Sequence, residues 1–560
     1  MVRETTLKAS LDDAMLALRM TDFSGGLYSE SDIIDLPDNA SSDCENVICN
    51  LPGKLKGRAG SEDKVTGLAA KPDGIAYFYD AGGTRRCLYW HSGNTYSWNF
   101  TSSTLTLVQS SSYAAGKRIA WAALNGILYY SDGETFTGST PGTDRSGIRQ
   151  YNAVAGTDTP LISSYGSGEI DTPAAYVLNV YAGSLILGSI KYEDGTLARH
   201  SFTWSSVNDP TSINGASVQK VGEGHGGIIN CIQPLSVAST GVSPFRSLIV
   251  GKSEFGIYGY KGALGSLEEY LVNCPAGVKD GETMRYIPGP EGSGLLAFLG
   301  TDNKIWGVNG IAAIELSAPI RSELQDYITD QLIADPDQRF SSAVYNRDFQ
   351  YIVDCGGGRQ YVYHYNNGSW SRYRGWSSGH YVAAKDSRGI DTLYVADRTN
   401  KTLTQCATGT DDNGTAISPY WTSKAVHGQD HNIFKIWKKI IVNFATNTGD
   451  ITVQATTNLG EGKVSSKTIT VPANELATDL TGVYGVSTYG SAVYAATIVL
   501  STKKYKKETR LDYVPAGLDS RVNLRGYDVT IKISTSVSGA HFELLGYTLL
   551  YLPRGRKRIA

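Results

Sequence analysis

The stretch from Arg339 to Trp376 most constrains the fold, because it contains four short runs of strand-forming residues separated by three tight turns. The runs cover residues 340–345, 350–354, 360–365 and 370–373, and aromatic and β-branched side chains that suit a pleated surface dominate each of them. The turns contain Asn and Gly, which tolerate positive φ. The pattern predicts one four-stranded antiparallel meander. Such a sheet must bury a face against neighbours, and radial stacking of meanders forms a β-propeller.

The same four-strand rhythm recurs from about residue 70 to residue 410. Hairpin signals such as Asn125-Gly126 and Asn309-Gly310 interrupt the apolar runs. High Gly and Tyr counts (62 and 35) beside 4 Met also favour many short strands over helical bundles. We therefore predict an all-β protein with a six- or seven-bladed β-propeller over residues 69–410. Apolar residues at helical spacing after Pro319 predict one helix, which ends at Asp335-Pro336.

The flanking segments have different patterns. Residues 1–68 have scattered apolar anchors and turns, which predict an extended N-terminal arm, with an amphipathic helix within residues 1–20. Residues 411–416 are predicted as a linker. Long alternating runs over residues 417–553 predict a C-terminal β-sandwich of platform-like character, followed by a basic tail over residues 554–560.

The charge distribution sets limits on nucleic-acid binding. A net charge of −3 gives no global basic footprint of the kind that tight nucleic-acid binders carry. Two local basic clusters are candidate contacts to DNA phosphates or to neighbouring subunits. A solvated loop and tail is the alternative interpretation of both. Their residues are Lys503, Lys504, Lys506, Lys507 and Arg510 in one cluster, and Arg554, Arg556, Lys557 and Arg558 in the other.

The sequence contains no recognisable catalytic or metal-binding motif. Glu223 and His225, in a glycine-rich loop, are the strongest candidates for a base or ligand, but such loops are usually only loops. Residues 131–136 read as a turn, and Asp411-Asp412-Asn413 lacks the spaced ligands of a calcium loop. We predict no enzymatic activity, no cofactor and no metal site.

Cysteine usage and hydropathy give expectations about the compartment. The seven cysteines are scattered without a CxxC pair, which predicts free thiols made in a reducing cytoplasm. No apolar run approaches the ~20 residues that span a membrane, and the first 20 residues lack the apolar core of a signal peptide. We therefore expect neither membrane insertion nor secretion.

Three stretches together resemble the tail hub or nozzle proteins of short-tailed bacteriophages. FTWSSVNDPTSI at residues 202–213, followed by SLIVGKSEFGIYGY at 247–260, is similar to their inter-blade signature. The ending FELLGYTLLYLPRGRKR is similar to their closing strand and basic tail. Their N-terminal arm has the form F-x-G-G-L…N…G-x-L-x-x-R-x-G. Here it corresponds to Phe23, Gly25, Gly26, Leu27, Asn46, Gly53, Leu55, Arg58 and Gly60.

This resemblance implies a structural component of a virion tail, assembled in the cytoplasm of the bacterial host. Several copies, commonly six, would form a ring around the DNA exit channel and help to retain and release DNA. The ring would attach to the head–tail adaptor on one side and to fibres, a needle or a tip on the other. A near-neutral surface suits DNA that slides past, and a closed ring requires head-to-tail contacts between copies.

Two other interpretations stay open from the sequence. One is a glycan-binding or glycan-degrading propeller for host attachment, which requires carboxylates and stacked aromatic side chains on one propeller face. The other is a bacterial surface adhesin, against which the absence of a signal peptide argues.

Overall fold

The structure, a computed structural model, describes residues 16–51, 53–100, 102–140, 145–165, 172–213, 218–239, 242–289, 294–428, 432–447, 449–460, 463–471, 505–510, 524–540 and 542–556. Contacts divide the chain into two compact units. The first comprises the residues up to Gly60, Asn367–Arg374 and the residues from Thr408 onward. The second, which comprises Ser61–Asn366 and Gly375–Ala407, is therefore inserted within the sequence of the first.

The second unit is a β-propeller, and the described residues contain seven of its antiparallel sheets, numbered here as blades 1 to 7. The strands of blade 1 are Pro72–Tyr79, Arg85–His91, Asn94–Asn99 and Thr104–Gln109. Those of blade 2 are Ala120–Leu124, Ile127–Ser131, Arg149–Asn152 and Thr157–Pro160. Those of blade 3 are Ala174–Tyr181, Ser184–Lys191, Leu197–Ser206 and Gln219–Lys220, with Ser164–Tyr165 and Asp209–Ile213 beside them. The strands of blades 4 and 5 are Ile229–Ser239, Val242–Lys252, Ile257–Lys261 and Glu268–Val272; and Arg285–Pro288, Gly294–Leu299, Ile305–Val308 and Ala313–Glu315.

Blades 6 and 7 contain the stretch on which the propeller prediction was based. Blade 6 is built from Ser341–Tyr345, Gln350–Asp354 and Arg359–His364, and the next strand in sequence, Ser369–Arg374, belongs to the first unit. The strands of blade 7 are Gly379–Lys385, Asp391–Asp397, Thr402–Cys406 and Ser61–Val65. The predicted all-β propeller is thus confirmed, and the described residues give seven blades where the sequence left six or seven open.

A strand from the N-terminal side closes the ring. Ser61–Val65 pairs antiparallel with Thr402–Cys406, and Thr404 donates a hydrogen bond of 2.5 Å to Asp63. The first strand of blade 7 also packs on the first strand of blade 1. Large aromatic side chains fill the joints between blades, as where the rings of Trp98 and Tyr394 lie 4.9 Å apart. Residues from both ends of the propeller sequence therefore bury each other's apolar surface.

Local chemistry explains the tight turns and the helix. Asn125 (φ 53°) and Gly126 (φ 77°) join the first two strands of blade 2, and both adopt the left-handed conformation that such two-residue turns require. The predicted helix is present as Arg321–Ala334, and its Leu324 and Ile328 are buried.

The first unit is a sandwich of two sheets. One sheet contains Val47–Leu51, Lys54–Gly57, Phe542–Arg556, Ile433–Asn447 and Tyr505–Arg510, with Leu16–Met20 and Arg525–Gly526 at its sides. The other contains Ser369–Arg374, Gly26–Leu27, Ala40–Glu45, Tyr420–Ser423, Asp528–Ser534, Ile451–Gly460 and Lys463–Val471. Trp421 and Tyr547, one from each sheet, lie 6.3 Å apart between them, and Phe23 packs edge-on against Trp421 at 5.1 Å. Residues 417–553 thus contribute to a sandwich, but the N-terminal segment and Ser369–Arg374 also supply strands to it.

Three local predictions differ from the structure. Leu16–Met20 is a strand paired with residues 547–551 and not part of a helix, because sheet pairing overrides a short helical periodicity. Residues 411–416 form a small hairpin, with Asp411–Asp412 opposite Thr415–Ala416, and not a linker. The described part of the N-terminal arm supplies sandwich strands up to residue 57, after which Ser61–Val65 enters the propeller.

Candidate functional site

The propeller unit contains a central cavity of about 620 Å³. The first strand of every blade contributes to its wall. The contributing residues include Ile75, Trp121, Val177, Ile232, Val344 and Val382 from blades 1, 2, 3, 4, 6 and 7, and Arg285 from blade 5. Consecutive residues of most first strands line this cavity, and several of them, such as Trp121 and Val382, also pack against the hydrophobic clusters between blades.

A group of charged side chains from blades 2 and 5 meets at the cavity wall. Arg118, just before the first strand of blade 2, donates from Nε to Glu282 Oε1 at 3.1 Å and from Nη2 to Asp280 Oδ1. Asp280 also accepts from the backbone N–H groups of Glu282 (2.9 Å) and Phe340 (3.1 Å). Since blades 2 and 5 are three positions apart in the ring, Arg118 links blades that are not neighbours.

Blade 7 adds an imidazole to this group. His380 Nδ1 lies 2.7 Å from Glu282 Oε2, and the side chain of His380 is 4% exposed. Burial alone would raise the pKa of Glu282, but the Arg118 guanidinium and the His380 imidazole hold that pKa well below its usual range. Glu282 is therefore an anion at any physiological pH, and we name Arg118, Asp280, Glu282 and His380 the axial cluster.

The chemistry of the axial cluster favours binding or structure over catalysis. A glycosidase needs one carboxyl group with a raised pKa to act as the general acid. In the axial cluster Glu282 has a lowered pKa and both carboxylates are bound to Arg118. Among the described residues, no group of three or more His, Cys, Asp or Glu side chains is placed to hold a metal ion.

The structure separates the catalytic candidates that the sequence suggested. Glu223 points to solvent, with its side chain 81% exposed, and pairs with Lys220 at 3.2 Å. His225 contacts the Tyr258 hydroxyl group through Nδ1. Asp132 accepts from the backbone N–H groups of residues 134 and 135, as a turn residue does. None of these residues lines the cavity.

The first unit contains a second buried charged group, which includes three residues of the N-terminal arm motif. Arg58 is 1% exposed and binds Asp412 through two parallel hydrogen bonds of 2.9 and 2.6 Å. Its Nε donates to Asn46 Oδ1 at 2.7 Å, and the carbonyl oxygens of Ala59 and Arg374 accept its two remaining N–H groups. All five guanidinium donors are thus satisfied. Gly60, beside them, passes so close to the Asp411 backbone that an added Cβ would lie 2.0 Å from the Asp411 carbonyl oxygen.

The basic clusters lie at the edges of what the structure describes. Lys506, Lys507 and Arg510 belong to strand Tyr505–Arg510, and Arg554 and Arg556 to strand Phe542–Arg556. Lys503, Lys504, Lys557 and Arg558 lie outside the described residues. Their role in DNA or subunit contact stays a prediction.

The sequence does not reveal the axial cluster. Arg118 and Glu282 are 164 residues apart, and each belongs to a separate local pattern. The one available signal is position, because Arg118 and His380 stand at or just before strands that the sequence predicts. Glu282 precedes Arg285–Pro288, a strand that the sequence does not predict. In the part of the chain that the structure describes, no helix has the length and apolar character needed to cross a bilayer.

Comparison with known proteins bears on the fold alone. No protein-family model and no curated protein matches the chain. The chain is similar to the solved structures titled "Structure of U3-55K" (11% identity, 62% of this chain and 99% of that chain, TM-score 0.38) and "Crystal structure of RRP9 WD40 repeats" (10%, 63% and 99%, 0.38). It is also similar to "Crystal Structure of Mitotic Checkpoint Complex" (11%, 63% and 92%, 0.38). At such TM-scores we draw no functional argument from these similarities, and the propeller assignment rests on the strand pairing described above.

Proposed function

We propose that this chain is a structural component of a bacteriophage tail and that copies of it form a ring, a hub or nozzle, around the DNA exit channel. In this role the ring connects the head–tail adaptor to fibres, a needle or a tip, and it retains DNA until ejection. The proposal places the protein in the virion and gives it no catalytic step. It combines the sequence resemblance with one observation on the propeller, the narrowness of its own axis.

The axis of a single propeller is too narrow for a duplex, and this observation carries the ring proposal. The first strand of blade 2 has five residues, about 17 Å at 3.3 Å per residue. A cavity of about 620 Å³ spread over that height is roughly 7 Å wide, whereas the major groove of a duplex alone is about 12 Å wide. A conduit for DNA therefore has to lie between copies of the chain.

The residues of the arm motif also support the proposal. Phe23, Arg58 and Gly60 take part in close packing or buried hydrogen bonds of the sandwich unit. Such residues specify a particular backbone arrangement, so the resemblance on which the proposal depends concerns a shared way of building this unit. The slight net charge of −3 also suits a conduit, because few phosphate contacts means little retention of passing DNA.

The decisive experiment is to determine the oligomeric state of the purified full chain. We expect light scattering to give a multiple of the 60.3 kDa chain mass, with six copies as the leading expectation. Negative-stain images should show a closed ring whose opening admits a duplex. A chain that stays monomeric at micromolar concentration, with and without its adaptor partner, or a ring too narrow for a duplex, contradicts the proposal.

The second candidate, a glycan-binding or glycan-degrading propeller, receives support from one observation. The cavity combines an aromatic wall residue, Trp121, with the charged side chains of the axial cluster. Degradation is disfavoured by the lowered pKa of Glu282, so binding is the form of this alternative that the site supports. Incubation with host surface polysaccharide tests it: release of oligosaccharides favours degradation, and saturable binding without release favours attachment.

A further inference from the structure

The central cavity has the size of a small-molecule site. Ligand pockets in proteins typically measure about 300–1,000 Å³, and the cavity of about 620 Å³ falls in the middle of this range. It is also enclosed by a closed ring of blades, so its polar groups lie in a region of reduced dielectric. Charged groups in such a place interact more strongly with a ligand than they would at the protein surface.

Arg285 lines the cavity and differs from Arg118 in its partners. Nε of Arg285 donates to the Ser342 carbonyl oxygen at 3.2 Å, and Nη1 donates to the Met284 carbonyl oxygen at 3.3 Å. Both bonds are at the long end of the normal range. Within the described residues, no carboxylate lies within ion-pair distance of Arg285, although Arg118 has two. Arg285 is therefore a half-buried guanidinium that lacks a bound counter-ion of its own.

Burial lowers the pKa of Arg285, in keeping with a cation that is poorly solvated. A guanidinium nevertheless stays protonated in proteins, and Glu282 and Asp280, which lie beyond ion-pair distance, offset only part of the cost of burying it. Carboxylates and phosphates are the groups that match its planar fork of donors. A ligand that carries either group thus completes the coordination of Arg285.

His380, in the same wall, has one ring nitrogen, Nε2, that is unpaired among the described residues, but this atom is buried and out of reach of a ligand in the cavity. Its Nδ1 faces Glu282. Leaving a buried polar atom unpaired costs about 1–3 kcal/mol, and a ligand in the cavity does not recover this cost.

The rest of the wall combines polar side chains, such as Asn179, Asn230 and Gln233, with apolar side chains that suit the body of an organic molecule. Val177, Val344 and Val382 line the cavity and are partly accessible, and Trp121 presents an aromatic surface beside them. A purely inorganic ion would leave this surface unused. An apolar or aromatic body of modest size would bury it.

We propose that the central cavity of the propeller binds a small organic acid, with its carboxylate or phosphate on the Arg285 guanidinium and its apolar body against Trp121. This site lies inside one copy of the chain, so it does not depend on the ring. The recognition is by charge and shape, and it involves no chemical step.

Calorimetric titration of the full chain with three matched probes tests the proposal. Benzoate and phenyl phosphate carry the two candidate acid groups, and benzyl alcohol has the same ring without the charge. We expect at least one acid to bind with a dissociation constant below 10 mM and at least tenfold more tightly than benzyl alcohol. Comparison of the two acids distinguishes a carboxylate site from a phosphate site.

Two variants locate the binding. Arg285→Met should weaken binding of the acid roughly 10- to 100-fold, because a bidentate charge-assisted contact is lost. Ala123→Phe should weaken binding without touching a charge, because Ala123 is an accessible residue of the cavity wall and a phenyl ring there occupies part of the space. Arg388→Met, which removes an exposed guanidinium outside the cavity, should bind like the wild type.

The outcomes that overturn the proposal are distinct. They are failure of both acids to bind at 10 mM, equal binding of acid and alcohol, or acid binding that both Arg285→Met and Ala123→Phe leave unchanged. If Arg285→Met does not fold by circular dichroism, Arg285→Lys replaces it, since lysine keeps the charge without the fork. A reduction of less than threefold in the lysine variant, with acid binding otherwise intact, also contradicts the assigned role of Arg285.

Discussion

Replacement of Arg58 by Met should destabilise the sandwich unit strongly. Arg58→Met keeps an unbranched apolar side chain of similar length in the buried position but removes all five donors. Asp412 then loses its guanidinium partner while its side chain stays 90% buried. Breaking a buried ion pair from one side costs about 3–5 kcal/mol, because the remaining charge is poorly solvated. At about 2–4 °C per kcal/mol for a unit of this size, the melting temperature should fall by roughly 6–20 °C.

Scanning calorimetry of the full chain measures this change, with two companion variants. Arg388→Met breaks an ion pair of 2.9 Å in which the arginine is 76% exposed, and it should cost under about 1 kcal/mol. The double variant Arg58→Met/Asp412→Leu removes the stranded charge and should recover most of the lost stability. A melting temperature for Arg58→Met equal to that of Arg388→Met refutes the reasoning. If the double variant is less stable than Arg58→Met alone, the stability lost in the single variant comes from the altered packing at this position and not from the unpaired charge of Asp412.

Three further predictions concern single side chains. Burial raises the pKa of Asp354 to about 7, so ionisation of this carboxyl group opposes folding. The stability that its neutral form contributes is fully present below about pH 4 and is lost as the pH rises through 7. The stability of Asp354→Asn relative to wild type, from urea unfolding, should therefore increase between pH 5 and pH 7 by on the order of 1 kcal/mol per pH unit and then level off, and a constant difference over that range would contradict this. Gly60→Ala should cost more than about 2 kcal/mol in thermal unfolding, since the new Cβ would lie 2.0 Å from Asp411 backbone oxygen, whereas Gly82→Ala meets only a side-chain oxygen at 3.3 Å and should be nearly neutral. Arg118→Met should destabilise the propeller more at pH 8 than at pH 4 in urea titrations, because acid neutralises Glu282 once this guanidinium is gone, and an equal loss at both pH values would contradict this.

Local chemistry explains why the propeller could be predicted from the sequence. The conformation of a turn such as Asn125-Gly126 follows from its own residue types, because Asn and Gly tolerate positive φ. In the strands on both sides, apolar and polar residues alternate with a period of two. The helix Arg321–Ala334 likewise has its start and end signals within a few residues of itself. The blade pattern and this helix were therefore readable without any knowledge of the tertiary structure.

Pairings between distant segments could not be predicted. Ser61–Val65 completes blade 7 beside Thr402–Cys406. The sequence of neither segment predicts that it pairs with the other. The strand Leu16–Met20 was predicted as helical because only its pairing with residues 547–551 decides between the two periods. The candidate site has the same character, since Arg118, Glu282 and His380 become neighbours only when the ring closes.

Because the propeller axis is closed to a duplex, the proposed binding of small acids and passage of DNA take place on different surfaces of the chain. Arg118 donates hydrogen bonds to Asp280 and Glu282, and His380 contacts Glu282, so the axial cluster links blades 2, 5 and 7. The axis that these blades surround is too narrow for a duplex. In the proposed ring, DNA would then meet only the outside of each copy, where binding has to stay weak for DNA to slide. The cavity does not meet DNA, so a guanidinium such as Arg285 in its wall does not retain DNA. Variants of Arg285 should for this reason alter the binding of small acids while ring assembly and DNA passage stay unchanged.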